Sequence, residues 1–441
     1  MAISAESFPV STQEERGNLS DATAELRHRL VDEVRAFYVA SHDFNGIPGS
    51  KLVAKLSLSP DVLTKLLTDA ILAEDVSINC WDNIHIKRLP DPDPRTQIDA
   101  LRHSRDGDFC VYPTTKTMQE IVDPQHYSDR PFTLRLALAE AQLSYLCFDL
   151  SVLEIYRSDP RYYYRNNDVS GMICIKDEHY TSEGIPDRDK VLLQTFGFCY
   201  DEDFNRAVAV FLRYLHDLSP EHQQIWHSRL LQGKYTLHPD YFRSAILGGF
   251  YEGVSIFDAF REELRVINEM SAAMGRPPLF KGAYEVRPRE LGFLIRPTQK
   301  EFDNFVQLLD KMLSENINRD FFKRDIDFES EAARKDGKIV VTPKGTIRLL
   351  EEWFRKWFKT SDWEPVEEMI AALRDVRRLR SKPAHVLDDN TFDNAWLKQQ
   401  REVMMSAYNG VRTVRLAFAN HPRARNCKVS APVQKGKIWN Y

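Results

Sequence analysis

Leu379-Arg380-Ser381-Lys382-Pro383-Ala384-His385 closes a basic run that begins Met369-Ile370-Ala371-Ala372-Leu373-Arg374-Asp375-Val376-Arg377-Arg378. Met369, Ala372, Leu373, Val376 and Leu379 recur at helical spacing and form one apolar stripe, which predicts an amphipathic helix. Pro383 lacks an amide hydrogen and crowds the carbonyl of Leu379, so the helix is expected to end or kink there. Residues five apart on a straight helix differ by roughly 140° and do not share a face. Arg380 and His385 can therefore converge only if the chain turns at Pro383, or if two copies meet across an interface. Arg378 and His385, seven apart, would align on a straight helix.

An arginine and a histidine brought together can cleave RNA. Histidine titrates near neutrality and can move a proton at the 2′-hydroxyl or at the leaving 5′-oxygen. Arginine keeps its charge and can clamp the phosphate as it becomes pentacoordinate. The RNA supplies its own nucleophile, so this chemistry needs no metal and no cofactor. The plainer alternative is a solvated Arg380 and a packed or capping His385.

The run Leu-Arg-x-x-Arg-x-Leu-Arg-Ser-Lys-Pro-Ala-His lies between two long helical patterns. It resembles the HEPN (higher eukaryote and prokaryote nucleotide-binding) superfamily, whose signature is an arginine, four to six residues, and a histidine. The resemblance covers residues 298–420 at most. Its arginine falls on Arg380 and its histidine on His385. Where the family usually has Asn, Asp or His after the arginine, this chain has Ser381, and Pro383 lies inside the motif. The resemblance implies a helical bundle, often paired as a homodimer around one cleft. It also implies a metal-independent endoribonuclease of the kind found in toxin–antitoxin and antiphage defence systems.

Composition supports a globular reading. The chain has 441 residues, 43% hydrophobic and 28% charged, enough for two or three domains with real cores. No apolar run reaches the length of a membrane span, and Met1 to Ser20 lacks the pattern of a signal peptide, which predicts a cytoplasmic protein without membrane contact. Six scattered cysteines form no C-x-x-C pair and are expected to be reduced core thiols. The net charge of −5 is unevenly spread: residues 371–441 hold 14 Lys/Arg against 5 Asp/Glu. That surface can attract phosphates, or its charges can bridge to the acidic remainder of the chain.

Earlier segments are read in turn. Ser20 to Ser41 predicts a helix capped by Ser20 or Asp21, and Ser59-Pro60 opens a second. Val76–Trp81 and Phe109–Tyr112 predict strands, and Pro90–Pro94 an exposed loop. Alternation over Phe132–Leu138 suggests a strand, and the following Ala-Glu-Ala-Gln-Leu a helix. Arg161-Tyr162-Tyr163-Tyr164-Arg165 offers aromatics flanked by arginines, which can stack bases, although tyrosines on a half-exposed strand are the commoner case. Met172–Ile175 predicts a further strand, after a turn at Asn166–Asp168. Nucleotide-loop and zincin motifs are absent, and His222 and His227 do not share a helix face.

Asp201 to Leu218 predicts a helix, as do Ser219-Pro220 onward, Tyr241–Phe250 and Ser255–Met274. Asn318 to Lys338 is expected to be helical or an insert. Helices near 299–313, 347–358, 365–380 and 394–420 predict a four-helix bundle, with the tail from Arg423 irregular.

The expected fold is an α+β N-terminal domain followed by a mostly α-helical half ending in a HEPN-like bundle. The expected divisions are a tail at 1–19, an α+β sensor or gating domain at 20–200, a helical linker domain at 201–290, the bundle at 291–422 and a basic tail at 423–441. In the expected nuclease, His385 is general acid or base and Arg380 stabilises the phosphorane. Arg377, Arg378, Ser381 and Lys382 hold RNA, and a regulatory partner acts on the N-terminal half. The alternative is a non-catalytic RNA-binding or protein-interaction scaffold.

Overall fold

The computed structural model describes residues 13–440 apart from 82, 89, 106–107, 334–338 and 382–388. The larger sheets lie in the N-terminal half, and helices dominate the C-terminal part. The chain divides into two compact units. One comprises Met1–Phe148, Asp177–Phe196 and Ala209–Gln232, the other Asp149–Lys176, Gly197–Val208 and Gly233–Tyr441.

In the first unit, helix α1 (Gln13–Ala40) is followed by α2 (Gly49–Leu56) and α3 (Pro60–Leu72). Helix α1 starts ahead of Ser20 and Asp21, its expected caps, because Gln13-Glu14-Glu15-Arg16 favours helix and no proline interrupts it. Ser59 caps α3 as expected, its hydroxyl accepting the Val62 amide at 3.4 Å. Strands β1 (Ile47–Pro48), β2 (Val76–Asn79) and β3 (Cys110–Pro113) pair antiparallel in the order β1-β3-β2, with Ile78 opposite Val111. The apolar faces of α1 and α3 meet this sheet in a core built on Leu30, Val34, Leu67, Ile71 and Val111. Part of the expected exposed loop is helical: α4 (Pro94–His103) starts at a proline, with the Asp93 carboxylate accepting the Arg95 amide at 3.0 Å.

The expected strand over Phe132–Leu138 is instead helix α5 (Pro131–Ala137). Proline suits its first position, and the buried Gln223 on α6 (Pro220–His227) caps it, accepting the Phe132 amide at 3.1 Å. A few alternating residues cannot outweigh such capping. The expected helix after it is a turn leading into strand β4 (Tyr145–Phe148).

The second unit opens with the hairpin of β5 (Tyr162–Asn166) and β6 (Ser170–Ile175), Tyr163 lying opposite Cys174. Helix α7 (Pro239–Leu247) ends at Gly248, whose φ of 67° supplies the left-handed cap. Five helices then share one core: α8 (Ile256–Ala273), α9 (Gln299–Met312), α10 (Thr346–Trp357), α11 (Glu364–Ser381) and α12 (Ala395–Ala419). The last four fall where the apolar stripes put them. Helix α12 packs along both α8 and α11. Gly410 lies at the second contact, where a Cβ would meet that of Ala372 at 3.5 Å, an ordinary packing distance. The buried Glu263 on α8 pairs with Arg415 on α12 inside this packing.

Further expectations are corrected. Asp201–Leu218 is not a helix: Arg206–Phe211 is a strand, and only Leu212–His216 is helical. Ala207 through Phe211 are all buried, so the run has no polar face and suits a central strand rather than an amphipathic helix. The Asp201 carboxylate closes the preceding turn by accepting the Asp203 and Asn205 amides. Within 318–338 the chain forms a short 3₁₀ turn and the strand Glu329–Ala333, which pairs with Ile339–Pro343. At the start of α10 the Thr346 hydroxyl donates to the Ser314 carbonyl at 2.6 Å. The tail is not irregular throughout: Ala431–Gln434 is helical, and Ile438–Trp439 pairs parallel with Val254–Ser255.

Candidate functional site

The basic end of α11 lies against α9, which supplies carboxylates. Arg377 and Arg380 are one turn apart and share a face. Both reach Asp310, a residue with no solvent exposure on an otherwise apolar stripe of α9. Its Oδ2 accepts from Arg377 Nη1 at 3.0 Å and from Arg380 Nη1 at 2.7 Å. Its Oδ1 accepts from the Ser314 hydroxyl. Glu315 adds a second carboxylate, paired with Arg380 and 3.5 Å from Arg377. Hydrogen bonds to Asp310 and then Glu315 hold the Arg380 pKa above its usual value, so the guanidinium keeps its charge.

Arg377 and Arg380 are held through Nη1 alone. Their Nε and Nη2 atoms make no hydrogen bond among the described residues. Each guanidinium therefore has one edge fixed by carboxylate and one edge that can fork onto a phosphate.

The other expected site residues lie differently. Arg378 points away from Asp310 and pairs with Asp375 at 2.9 Å in an exposed setting. The Ser381 hydroxyl donates to the Arg377 carbonyl at 2.9 Å, closing the last turn of its own helix. Lys382 and His385 lie outside the described residues, as does Pro383. The structure thus joins Arg377 and Arg380 and separates Arg378 from them. Asp310, Ser314 and Glu315 escaped the sequence reading. The available signal was an aspartate set among Phe302, Phe305, Leu309 and Met312 on one helix.

Much of the C-terminal positive charge is engaged within the chain. Arg374 pairs with Glu351, Arg415 with Glu263 and Lys437 with Glu252. His222 is buried, and burial pushes its pKa down. Among the described residues no group of three or more His, Cys, Asp or Glu side chains could hold a metal ion. No helix among them is long and apolar enough to cross a membrane. None of the six cysteines forms a disulfide, and Cys110, Cys147 and Cys199 are buried.

Searches against protein-family models, curated proteins and solved structures found no match to this chain.

Proposed function

We propose that the chain is a metal-independent endoribonuclease that cuts single-stranded RNA, with the α9–α12 region acting as a HEPN-like bundle. The 2′-oxygen attacks phosphorus, the bond to the 5′-oxygen breaks, and the products carry a 2′,3′-cyclic phosphate and a 5′-hydroxyl. His385 takes the proton from the 2′-hydroxyl or gives one to the leaving oxygen. Arg380 braces the phosphate, and Arg377, Arg378, Ser381 and Lys382 hold the RNA near it.

The observation that carries this reading is the clamped Arg380: its orientation is set by a buried carboxylate and its Nε–Nη2 edge is unengaged among the described residues. An arginine fixed before substrate arrives loses little freedom on binding phosphate. The rest follows from the resemblance: pairing of two copies around a cleft, a toxin or antiphage role in the cytoplasm, and a regulatory partner at the N-terminal half.

A second reading is a non-catalytic scaffold that binds RNA or protein. It is favoured by the two carboxylates on Arg380, which offset its charge. His385→Ala separates the readings. A nuclease loses cleavage and retains RNA binding. A scaffold shows no cleavage in either protein.

A further inference from the structure

The tyrosine-rich strand β5 borders a cavity of about 530 Å3 within the second unit, of the size that holds small organic ligands. Residues alternate along the strand. Tyr162 and Tyr164 are buried, and Tyr163 and Arg165 face outward. Four arginines line the cavity, Arg157, Arg165, Arg287 and Arg289, together with the rings of Tyr163 and Phe293.

These arginines are not equivalent. Arg287 is neutralised by Asp168 at 2.6 Å and Asp258 at 3.4 Å. Arg157 faces Glu301 at 3.9 Å. Arg289 is fixed by donating to the carbonyls of Tyr162 at 2.9 Å and Arg157 at 3.4 Å, and it has no carboxylate partner among the described residues. Arg165 is exposed and likewise has no such partner. Glu285 also lines the cavity but pairs with neither among the described residues, so the rim keeps a net positive charge, with Arg289 rigidly held by neutral carbonyls. A guanidinium ordered in this way, without a counter-charge, is prepared for an anion.

Flat rings stand beside that charge. Tyr163 is 45% exposed. Phe293 carries the Arg206 guanidinium 3.6 Å from its ring centre, which stiffens it. The volume is far larger than one phosphate needs.

We propose that this cavity binds a nucleotide, with its phosphates on Arg165 and Arg289 and its base against Tyr163. The proposal does not depend on the nuclease reading, because none of these residues belongs to the Asp310 cluster and its test reads binding.

The test is calorimetric titration of the full-length protein with each of the four common ribonucleoside triphosphates, with the matching nucleosides and with inorganic pyrophosphate. At least one triphosphate is expected to bind with one-to-one stoichiometry, at least tenfold tighter than its nucleoside or pyrophosphate. Arg165→Ala should weaken triphosphate and pyrophosphate alike by about tenfold. Tyr163→Ala should weaken the triphosphate by about tenfold and leave pyrophosphate unchanged. Both side chains are exposed, so melting temperatures should match wild type, and the remote Lys323→Ala should bind as wild type does. The proposal is overturned if no triphosphate binds at millimolar concentration, or if binding ignores both substitutions. It is also overturned if only short single-stranded RNA binds.

Discussion

The Arg380 guanidinium lies 2.7 Å from the carboxylate of Asp310, a side chain with no solvent exposure. Arg377 reaches the same oxygen from one turn earlier. One buried charge on α9 therefore anchors two arginines on α11, and the arginines depend on each other through it.

That sharing predicts non-additive stability. Arg377→Ala or Arg380→Ala alone leaves Asp310 one guanidinium. The double variant leaves it only the Ser314 hydroxyl. The double loss should exceed the sum of the single losses, reaching about 3 kcal/mol, because an unpaired buried carboxylate is costly. Urea unfolding of the three variants measures this. Additive losses would show that Asp310 does not couple the pair.

The same anchor predicts a kinetic signature for the proposed nuclease. Arg380→Lys keeps the charge and loses the fork that engages carboxylate and phosphate together. Single-turnover cleavage should fall by about 100-fold. RNA affinity should change far less, since Arg377 and Arg378 remain. Equal losses in rate and affinity would make Arg380 a binding residue only.

His238 sets a pH dependence. It is fully buried ahead of α7, and its Nδ1 accepts the Asp240 amide at 3.2 Å. Burial pushes its pKa from 6.5 down to about 4, against Asp240, which favours the charged form. The unfolded chain thus takes up the proton first. The stability this group contributes is complete above about pH 6.5 and is lost as pH falls through about 4, a change worth roughly 3 kcal/mol. His238→Asn keeps a capping oxygen and removes the titration. The stability advantage of wild type over this variant should shrink by that amount on acidification. An advantage independent of pH would contradict the assignment.

The C-terminal strand is predicted to be a working part of the second unit. Trp439 Nε1 donates to Asp240 Oδ2 at 3.1 Å, and the same oxygen accepts the amides of Glu252 and Gly253. A Cβ at Gly253 would collide with the Trp439 indole. Gly253→Ala should cost about 1–3 kcal/mol, and Trp439→Leu in the same chain should recover part of it. Thermal melts of the single and double variants decide the matter.

The sequence made the long helices legible and the short elements less so. Helices α8 to α12 present long apolar stripes, and each lies close to where those stripes put it. Asp201–Leu218 misled because its apolar residues fit helical spacing as well as a buried strand does. The fully buried run Ala207–Phe211 distinguishes them only once the structure is known. Helix α5 was hidden because Gln223, far along the chain, completes its cap. Of the candidate site, the arginines were visible as a charge run. Their shared partner Asp310 was not, because pairing between separate helices leaves no local pattern.

The most direct measurement incubates purified protein with a mixed RNA pool in EDTA, beside His385→Ala, and reads the fragment ends. The account predicts fragments ending in 2′,3′-cyclic phosphate from wild type and none from the variant. Cleavage at the same rate by His385→Ala, or no cleavage by either protein across a range of RNAs, would contradict the nuclease and leave the scaffold.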